Sequence, residues 1–505
     1  MITIADRLVN YGLLNLGLNI LDANYVRNKI FHLLNIYSNE PFVADVDDTL
    51  SLTPHEMRVE LESFIIQNKI KEEGFECNLL IDEIFGLLMP LPSAFIEEYD
   101  DIYTYSGDVD AIRYLTKLEV NSNYINLFNV NKNIKWEQKF DKNIIEYTIN
   151  LSKPEKSNAD IKAALSFKGN NSLNPKCVLC YENEGYYGAF NKEPRSTIRV
   201  IPLNLNAHQW YMQLSPYVYF ENHLILLNKD HVPMVINENT LQNLLDFVDQ
   251  YPNFFLGSNA DLPIVGGSIL NHEHYQGGTH IMPIMKSSAK YNFLSKNKLV
   301  KISYLDWFNS TLLLETTDKE ALKKEFANIL NGWIAYNDEE LGIVAYTDKE
   351  RHNTITPILR KVDNKYMLYL ILRCNNTSAE FPEGIFHVHP QYFNIKHEGI
   401  GLIEAMGLYI LPARLKSELG LIEEMFNSKT DINEFIKTHE ELQKHKDLIE
   451  KIEKQITKTS DVHKLLIDEI SGIGKEILKN TGVFKENEDS HMFKFMESLG
   501  YKKGE

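Results

Sequence analysis

Two histidines separated by one residue lie between glycine pairs, and they are the strongest indication of chemistry in this chain. The segment reads His272-Glu273-His274-Tyr275-Gln276, with Gly266-Gly267 before it and Gly277-Gly278 after it. Side chains on a strand repeat with a period of two, so both imidazoles and the glutamine amide can share one face. Imidazole can attack phosphorus at neutral pH and leave again, so the pattern predicts nucleotidyl transfer through a histidine.

The same short motif has less specific interpretations. The two histidines could lie in a polar turn, or one could be a metal ligand beside a bystander, because short motifs often occur by chance. On the functional interpretation, the amide of Gln276 donates to a phosphoryl oxygen, and the flanking glycines let a large ligand approach the backbone. The rest of the sequence has to decide between these interpretations.

Composition describes a folded protein of several domains. The chain has 505 residues, of which 44% are hydrophobic and 11% aromatic, enough for substantial cores. Its 70 acidic side chains outnumber 52 basic ones and give a formal net charge of −18. A surface of that sign repels phosphate backbones, so we expect no nucleic acid partner.

The sequence also bears on the compartment. Its N-terminus has no basic region followed by an apolar core, and no stretch approaches 18 uninterrupted apolar residues. Four cysteines in a chain of this length make no disulfide framework. We therefore expect a cytoplasmic protein without a membrane span.

Periodicity predicts a mixture of helices and strands. Residues 1 to about 115 have apolar faces at helical spacing, and Asp22 is a predicted N-cap. Short strand-type runs follow to about residue 151, and the segment after Pro412 is charged, helical and predicted to face solvent. Between these regions the pattern predicts helices at 240–251, 318–332 and 399–409, and strands at 197–203, 217–220, 223–227, 342–346, 366–372 and 385–388.

Cys177-Val-Leu-Cys180 could be a redox pair, half of a zinc site or two inert buried cysteines. A redox pair of the thioredoxin type needs a helix that begins within the motif after a strand, and the flanking residues do not favour one. Zinc fits better, because His231 and His272 could complete a tetrahedral Cys2His2 set. Such a zinc would be structural, and it would fix the loop that presents His274.

A second pair, His387 and His389, follows an apolar dipeptide and is predicted to lie on a strand. With His352 as a third ligand it could hold a second metal, or these histidines could contact a sugar phosphate. Lys396 and Arg414 are natural partners for an anion, although such residues are usually only solvated.

Two further motifs carry little weight. Asp45-Val-Asp47-Asp48-Thr49 matches a phosphotransferase pattern, which requires a buried strand before the first aspartate. Only three apolar residues precede the motif, and they follow a proline, so we interpret it as a loop that caps the next helix. The run Gly472-Ile-Gly474-Lys475 lacks the earlier glycine and the Ser/Thr of a phosphate-binding loop.

Taken together, the sequence resembles the galactose-1-phosphate uridylyltransferases of the second, bacterial class. The resemblance covers nearly the whole chain and is more specific than either histidine pair alone. The segments that carry it are residues 151–156, 175–185, 213–219, 255–270, 272–278, 386–390, 401–407, 411–414 and 481–485.

The resemblance implies an α+β fold of duplicated histidine-triad-like domains, with antiparallel sheets and helices. We expect a helical N-terminal segment at 1–120, the two domains at 121–295 and 296–415, and a helical C-terminal tail at 416–505. It implies a ping-pong transfer of UMP from UDP-glucose to galactose 1-phosphate, which gives UDP-galactose and glucose 1-phosphate in galactose metabolism. A homodimer is compatible with it.

The resemblance also assigns roles to residues. His274 would carry the uridylyl group, Gln276 would bond the transferred phosphoryl group, and Cys177, Cys180, His231 and His272 would bind zinc. Asn259, Gly267 and Ser268 would lie in the UDP-binding loop, and Lys396 and Glu404 are further candidates for substrate contact. His352, His387 and His389 match only part of a second metal site, because position 290, where the first class has a glutamate, is Lys.

Two other functions remain open. A nucleotide-sugar hydrolase or phosphorylase on the same fold would use water or phosphate as acceptor. A zinc-stabilised protein that binds sugar nucleotides would form no covalent adduct.

Overall fold

A computed structural model of the chain describes residues 3–44, 52–152, 175–189, 192–295, 298–428, 430–457 and 461–504. The chain folds into two compact units. The first unit comprises Met1–Lys132 and Pro154–Val232, and the second comprises Asn133–Lys153 and Pro233–Glu505. The aspartate motif at 45–49 lies outside the described residues.

The first unit begins with helices, which confirms the prediction for residues 1 to about 115. Thr3 and Asp6 form a capping box at the first helix, and Thr53 and Glu56 form another at the third. Asp22 occupies the N-cap position of the second helix, but its side chain makes no capping hydrogen bond. The helices are α1 (Ile4–Asn15), α2 (Ala23–Leu33), α3 (Pro54–Gln67), α4 (Phe75–Leu88), α5 (Pro92–Ser106), α6 (Asp108–Asn121) and α7 (Leu127–Val130).

The first unit also contains an antiparallel meander. Its strands pair in sequence order, and the side chains of the first alternate between buried and exposed. The prediction of a strand at 217–220 is wrong, because Pro216 cannot donate to a ladder and Val218 has a φ of 42°, in the left-handed region. Strands β1 (Ile134–Phe140) and β2 (Asn143–Ile149) come earlier in the chain and belong to the second unit. The strands of the meander are β3 (Ile201–Leu205), β4 (His208–Leu214) and β5 (Leu224–Asn228).

The second unit contains an antiparallel sheet with the strand order β16-β8-β9-β10-β14-β13-β6-β7. Its longest strands form a hairpin that pairs over its whole length. The members are β6 (Phe255–Gly257), β7 (His274–Gly278), β8 (Ala289–Leu294), β9 (Lys301–Leu305), β10 (Thr311–Thr316), β13 (Asn353–Val362), β14 (Lys365–Cys374) and β16 (Lys502–Lys503).

A smaller sheet in the second unit combines both strand directions. In it β1 (Ile134–Phe140) pairs antiparallel with β2 (Asn143–Ile149), which pairs parallel with β15 (Leu408–Leu411). A two-stranded ladder joins β11 (Tyr346–Thr347) and β12 (Glu350–Arg351). Helices α8 (Glu238–Gln250) and α9 (Lys319–Ile334) lie at their predicted positions and pack against each other and the larger sheet.

Three further predictions for this unit are wrong. Residues 385–388 form turns and bends rather than a strand, and 342–346 is irregular apart from its last residue. The helix predicted at 399–409 is the short α10 (Leu402–Ala405), and β15 follows it. Gly407 has a φ of +96°, and a Cβ there would lie 2.7 Å from the Trp307 ring, so the chain turns at this residue.

The C-terminal segment is helical, as predicted, but it does not simply face solvent. Phe495 is fully buried and its ring contacts Trp333 edge to face, and the hydroxyl of Tyr147 donates to the Ser471 carbonyl at 2.7 Å. This segment therefore contributes to the core of its unit. Its helices are α11 (Arg414–Ser428), α12 (Ile432–Thr438), α13 (Lys446–Gln455), α14 (Val462–Thr481) and α15 (Asp489–Ser498).

Helices and antiparallel strands together confirm the predicted α+β class. In the described part of the chain, no single helix has the length and apolar composition to cross a membrane. One bent pair, Phe75–Leu88 with Pro92–Ser106, passes that test jointly.

Candidate functional site

His274 and Gln276 lie on β7 and share one face of the strand, since they are two residues apart. The strand is held by β6, where Gln276 pairs with Gly257. Tyr275 points to the opposite face, where it is buried, and its hydroxyl contacts Asn243 of α8 at 2.9 Å. Packing on the helix side therefore fixes the direction in which the other two side chains project.

The imidazole of His274 is oriented by the backbone. Its Nδ1 lies 2.8 Å from the carbonyl oxygen of His272, so Nδ1 carries the proton and donates it. A backbone carbonyl therefore holds one ring nitrogen and sets the tautomer of the ring. Among the described residues, Nε2 makes no hydrogen bond.

Burial decides the charge of His274. The side chain keeps 6% of its surface exposed. Burial lowers the pKa of His274 to about 4, although the hydrogen bond to the His272 carbonyl acts in the opposite direction. The ring is therefore neutral at pH 7, with the lone pair of Nε2 available for attack.

The loop before β7 is built on close backbone approaches. A Cβ on Gly266 would lie 2.6 Å from the carbonyl oxygens of Ala260 and Leu262, and Ile264 has a φ of 72°. A β-branched residue in the left-handed region is strained, and such strain tends to cluster at functional loops. Only glycine fits at position 266.

Asn259 connects this loop to α10. Its Oδ1 accepts a hydrogen bond from the Leu402 backbone at 2.8 Å, and a Cβ on Gly267 would lie 2.8 Å from its amide nitrogen. Asn259 is buried, whereas Ser268 is exposed. The three residues predicted for the UDP loop are therefore close in the chain and differ in accessibility.

Lys396 and Glu404, both predicted to contact substrate, pair with one another. The Nζ of Lys396 lies 3.1 Å from Oε1 of Glu404 and 3.2 Å from the Ile410 carbonyl. The lysine is buried and the glutamate half-buried. An anion that binds here must compete with a carboxylate already in contact with the amine.

Three predicted zinc ligands gather in the first unit. The Sγ atoms of Cys177 and Cys180 are 3.7 Å apart, and Nδ1 of His231 lies 3.3 Å from the second sulfur. The cysteines form no disulfide, and the backbone N–H groups of Cys177 and Leu179 point at sulfur at 3.4 Å. Burial raises the pKa of Cys177 to about 11, so a bound cation is needed to hold it as a thiolate.

This donor set fits zinc. Two thiolates and an imidazole whose ligand atoms lie within 4.8 Å of one another are what a tetrahedral site requires of three ligands. His272 belongs to the second unit and is fully buried.

The second group of histidines is arranged differently from the expected metal site. Nδ1 of His352 lies 2.8 Å from Oδ1 of Asn375, and Nε2 of His389 lies 3.1 Å from the Ile385 carbonyl. The ring of His389 stacks on Phe381 with centroids 4.0 Å apart. Among the described residues, the groups of three or more neighbouring metal donors do not include His352, His387 and His389.

Two residues near the loop were not identified from the sequence. Asp261 accepts hydrogen bonds from the Ile236 backbone, Arg351 and Thr354. These bonds connect the loop to β12 and β13. Arg373 is a buried cation at the end of β14. In the sequence, the only sign of either residue is a single charged side chain next to a run of apolar residues.

Two family models and several known proteins match this chain. The family model described as "Galactose-1-phosphate uridyl transferase, N-terminal domain" matches residues 20–233, and the model of the C-terminal domain matches residues 246–444. A galactose-1-phosphate uridylyltransferase of Caldanaerobacter subterraneus subsp. tengcongensis is 38% identical over 99% of this chain and 98% of its own length. One from Clostridium acetobutylicum is 40% identical over 91% of this chain and 90% of its own.

Among solved structures, yeast Ap4A phosphorylase Apa2 aligns with 61% of this chain and 90% of its own, at 10% identity and a TM-score of 0.30. That likeness is too weak to bear on fold or function. The matches to both family domains and to nearly full-length relatives are sufficient by themselves: this chain belongs to the galactose-1-phosphate uridylyltransferase family.

Proposed function

We propose that this protein transfers UMP from UDP-glucose to galactose 1-phosphate, by a ping-pong reaction through a uridylyl group on His274. The observation that carries this proposal is the hydrogen bond from Nδ1 of His274 to the His272 carbonyl. It leaves Nε2 as the unprotonated nitrogen of a neutral ring, the form that attacks phosphorus.

In the first half-reaction, the Nε2 lone pair forms a bond to the α-phosphorus of UDP-glucose. The bond from that phosphorus to the bridging oxygen breaks, and its electron pair leaves with glucose 1-phosphate. In the second half-reaction, a phosphate oxygen of galactose 1-phosphate attacks the same phosphorus, and the P–N bond returns its electrons to Nε2. The product is UDP-galactose. Nδ1 remains protonated, and its donation to the carbonyl supports the positive charge that the substituted ring carries.

Charge at the transferred phosphorus is spread over its non-bridging oxygens, so donors aimed at those oxygens matter most. We assign this role to the amide of Gln276, which shares a strand face with His274, and to backbone N–H groups of the glycine-rich loop. Asn259, Gly267 and Ser268 bind the nucleotide in this proposal, and Lys396 and Glu404 contact substrate. The assignment of the loop is supported by two contacts of Asn259. Its Oδ1 accepts from the Leu402 N–H, and its amide nitrogen lies against Gly267.

We propose that zinc is held by Cys177, Cys180, His231 and His272. Its contribution would be structural, since His272 also supplies the carbonyl that orients His274. The donor chemistry of the three residues in the first unit supports this assignment. We propose the cytoplasm as the compartment, because the substrates are charged metabolites that do not cross membranes unaided.

UDP-glucose labelled at the α-phosphorus distinguishes this proposal from a hydrolase. With enzyme alone, a transferase retains label on the protein in proportion to enzyme and then stops. A hydrolase releases labelled UMP continuously, and that outcome would refute the transfer mechanism. Galactose 1-phosphate added afterwards should move the retained label into UDP-galactose.

A further inference from the structure

Arg373 is a buried cation with few partners. It lies at the end of β14, and its side chain is 1% exposed. Its Nη2 donates to the Ile400 carbonyl at 2.8 Å. Its Nε and Nη1 have no hydrogen-bond partner among the residues that the structure describes. Most of a fork of five N–H donors is therefore unused.

A guanidinium removed from water needs an anion or a full set of acceptors, because burying an unpaired charge is costly. The carboxylate whose charge acts on it is Glu404, and that group is already in contact with Lys396. Burial lowers the pKa of Arg373 to about 10, which still leaves it charged at pH 7. Among the described residues, the cation is therefore retained without an acceptor for its Nε and Nη1.

His387 provides a second buried side chain whose polar atoms have no partner among the described residues. The ring is 4% exposed, and neither of its nitrogens has a hydrogen-bond partner in the described part of the chain. Burial lowers the pKa of His387 to about 4, and the charge of Arg373 acts in the same direction.

The backbone next to these two side chains belongs to the candidate site. A Cβ on Gly399 would lie 3.9 Å from Nε2 of His387 and 3.6 Å from the Gly266 carbonyl oxygen. Gly399 precedes Ile400, whose carbonyl accepts from Arg373. The unpartnered donors thus adjoin the loop that we assign to the nucleotide, since Gly399 approaches both His387 and Gly266.

We propose that Arg373 and His387 bind a phosphate monoester: the phosphate of the hexose 1-phosphate, which leaves in the first half-reaction and attacks in the second. This inference rests on the proposed function. When the bond between the α-phosphorus and the bridging oxygen breaks, the electron pair and its negative charge go to this phosphate. A planar guanidinium with free Nε and Nη1 donors can contact two of its oxygens at once.

A metal at His387 is the competing interpretation. Arg373 opposes it, since a guanidinium repels a cation in the same buried space. His389 opposes it as well, because its Nε2 faces the Ile385 carbonyl and its ring stacks on Phe381. An anion satisfies both unpartnered side chains, with His387 donating through a ring N–H.

Calorimetric titration of the full-length protein with glucose 1-phosphate tests the inference. We expect Arg373→Met to weaken binding of glucose 1-phosphate at least tenfold and to leave binding of UMP within twofold. Arg360→Met is the matched control: it removes an arginine from the same β-hairpin, whose Nη1 contacts Met285, and should change neither affinity. Arg373→Met should fold, because it removes an unpaired buried charge. If Arg373→Met does not fold, His387→Asn replaces it in the experiment, and we expect the same tenfold loss of affinity for glucose 1-phosphate.

Equal affinity of the wild type and Arg373→Met for glucose 1-phosphate would overturn the inference, as would the absence of binding by the wild type. Formation of the uridylyl adduct from UDP-glucose is measured separately, so that failure of the anion site and failure of the proposed function can be distinguished. A wild type that forms the adduct, with an Arg373→Met variant that binds glucose 1-phosphate normally, refutes the anion site alone. A wild type that forms no adduct but binds glucose 1-phosphate through Arg373 refutes the proposed function alone.

Discussion

Nδ1 of His274 lies 2.8 Å from the carbonyl oxygen of His272, so the proposed nucleophile is oriented by a proposed zinc ligand two residues earlier. One short segment thereby joins metal binding to the tautomer of the reacting ring. The proton on Nδ1 leaves Nε2 for attack, and β7 presents Gln276 on the same face.

Gln276→Ala should lower turnover by roughly 10²–10³-fold, as loss of one oxyanion-type donor typically does. Tyr275→Phe is the matched control, since it alters the opposite face of the same strand. It should leave turnover within a few-fold while destabilising the fold by about 1 kcal/mol through the lost contact with Asn243. Steady-state kinetics and thermal melts separate the two effects, and an unchanged rate in Gln276→Ala would exclude the donor role.

Gly267→Ala should raise the KM for UDP-glucose, because a methyl group there would lie 2.8 Å from the Asn259 amide and displace it. Gly266→Ala should also lower the melting temperature, since its methyl would meet two carbonyl oxygens at 2.6 Å. Gly420 lies inside α11, and a methyl group added there would have no atom within 4 Å. Gly420→Ala should therefore stabilise the protein by about 0.5–1 kcal/mol. A Gly267→Ala enzyme with a wild-type KM would contradict the proposed loop contact.

Cys177→Ser and Cys180→Ser should each abolish stoichiometric zinc and lower the melting temperature. Elemental analysis of purified protein measures the first effect, and a chelator should reproduce the second in the wild type. Cys77→Ala serves as the control for zinc content, since Cys77 is buried in α4 and does not belong to the group of neighbouring donors. Retention of equimolar zinc by either serine variant would contradict the assignment.

Acid should destabilise the C-terminal helices through Glu418. Burial would raise the pKa of this carboxyl group, but hydrogen bonds from His445 and Lys444 and the charge of Arg414 lower it to about 2. The unfolded chain takes up the proton first, so this stabilisation is complete above pH 4.5 and is lost as the pH falls toward 2. The loss is up to about 3 kcal/mol. Thermal melts of the wild type and Glu418→Gln between pH 6 and pH 3 should converge; parallel curves would refute the coupling.

The sequence was a good guide where the signal is local. The period of two in His272–Gln276 placed both catalytic candidates on one strand face, and the CxxC spacing brought two sulfurs together. The N-terminal helices and α8 also followed from periodicity, whereas Asp22, the predicted cap, makes no capping hydrogen bond. The division of the chain into four segments, including two duplicated domains, stays a prediction.

Side-chain pairing was beyond sequence reasoning. Lys396 and Glu404 were assigned separately to substrate, yet they contact each other because a short helix and a turn bring them together. The strand predicted at 385–388 fails because Gly384, with a φ of +116°, and the turns that follow it interrupt extended backbone. The unpartnered donors of Arg373 become visible only when burial and contacts are known.

The central claim is that His274 takes up and releases UMP. Intact-mass spectrometry after mixing the enzyme with UDP-glucose measures this directly, with peptide mapping of the adduct. The wild type should gain the mass of one uridylyl group on the peptide that contains His274, and galactose 1-phosphate should remove it. His274→Gln should fold with a wild-type melting temperature and gain no mass. No mass gain by the wild type, or an adduct of equal yield in His274→Gln, would contradict the mechanism.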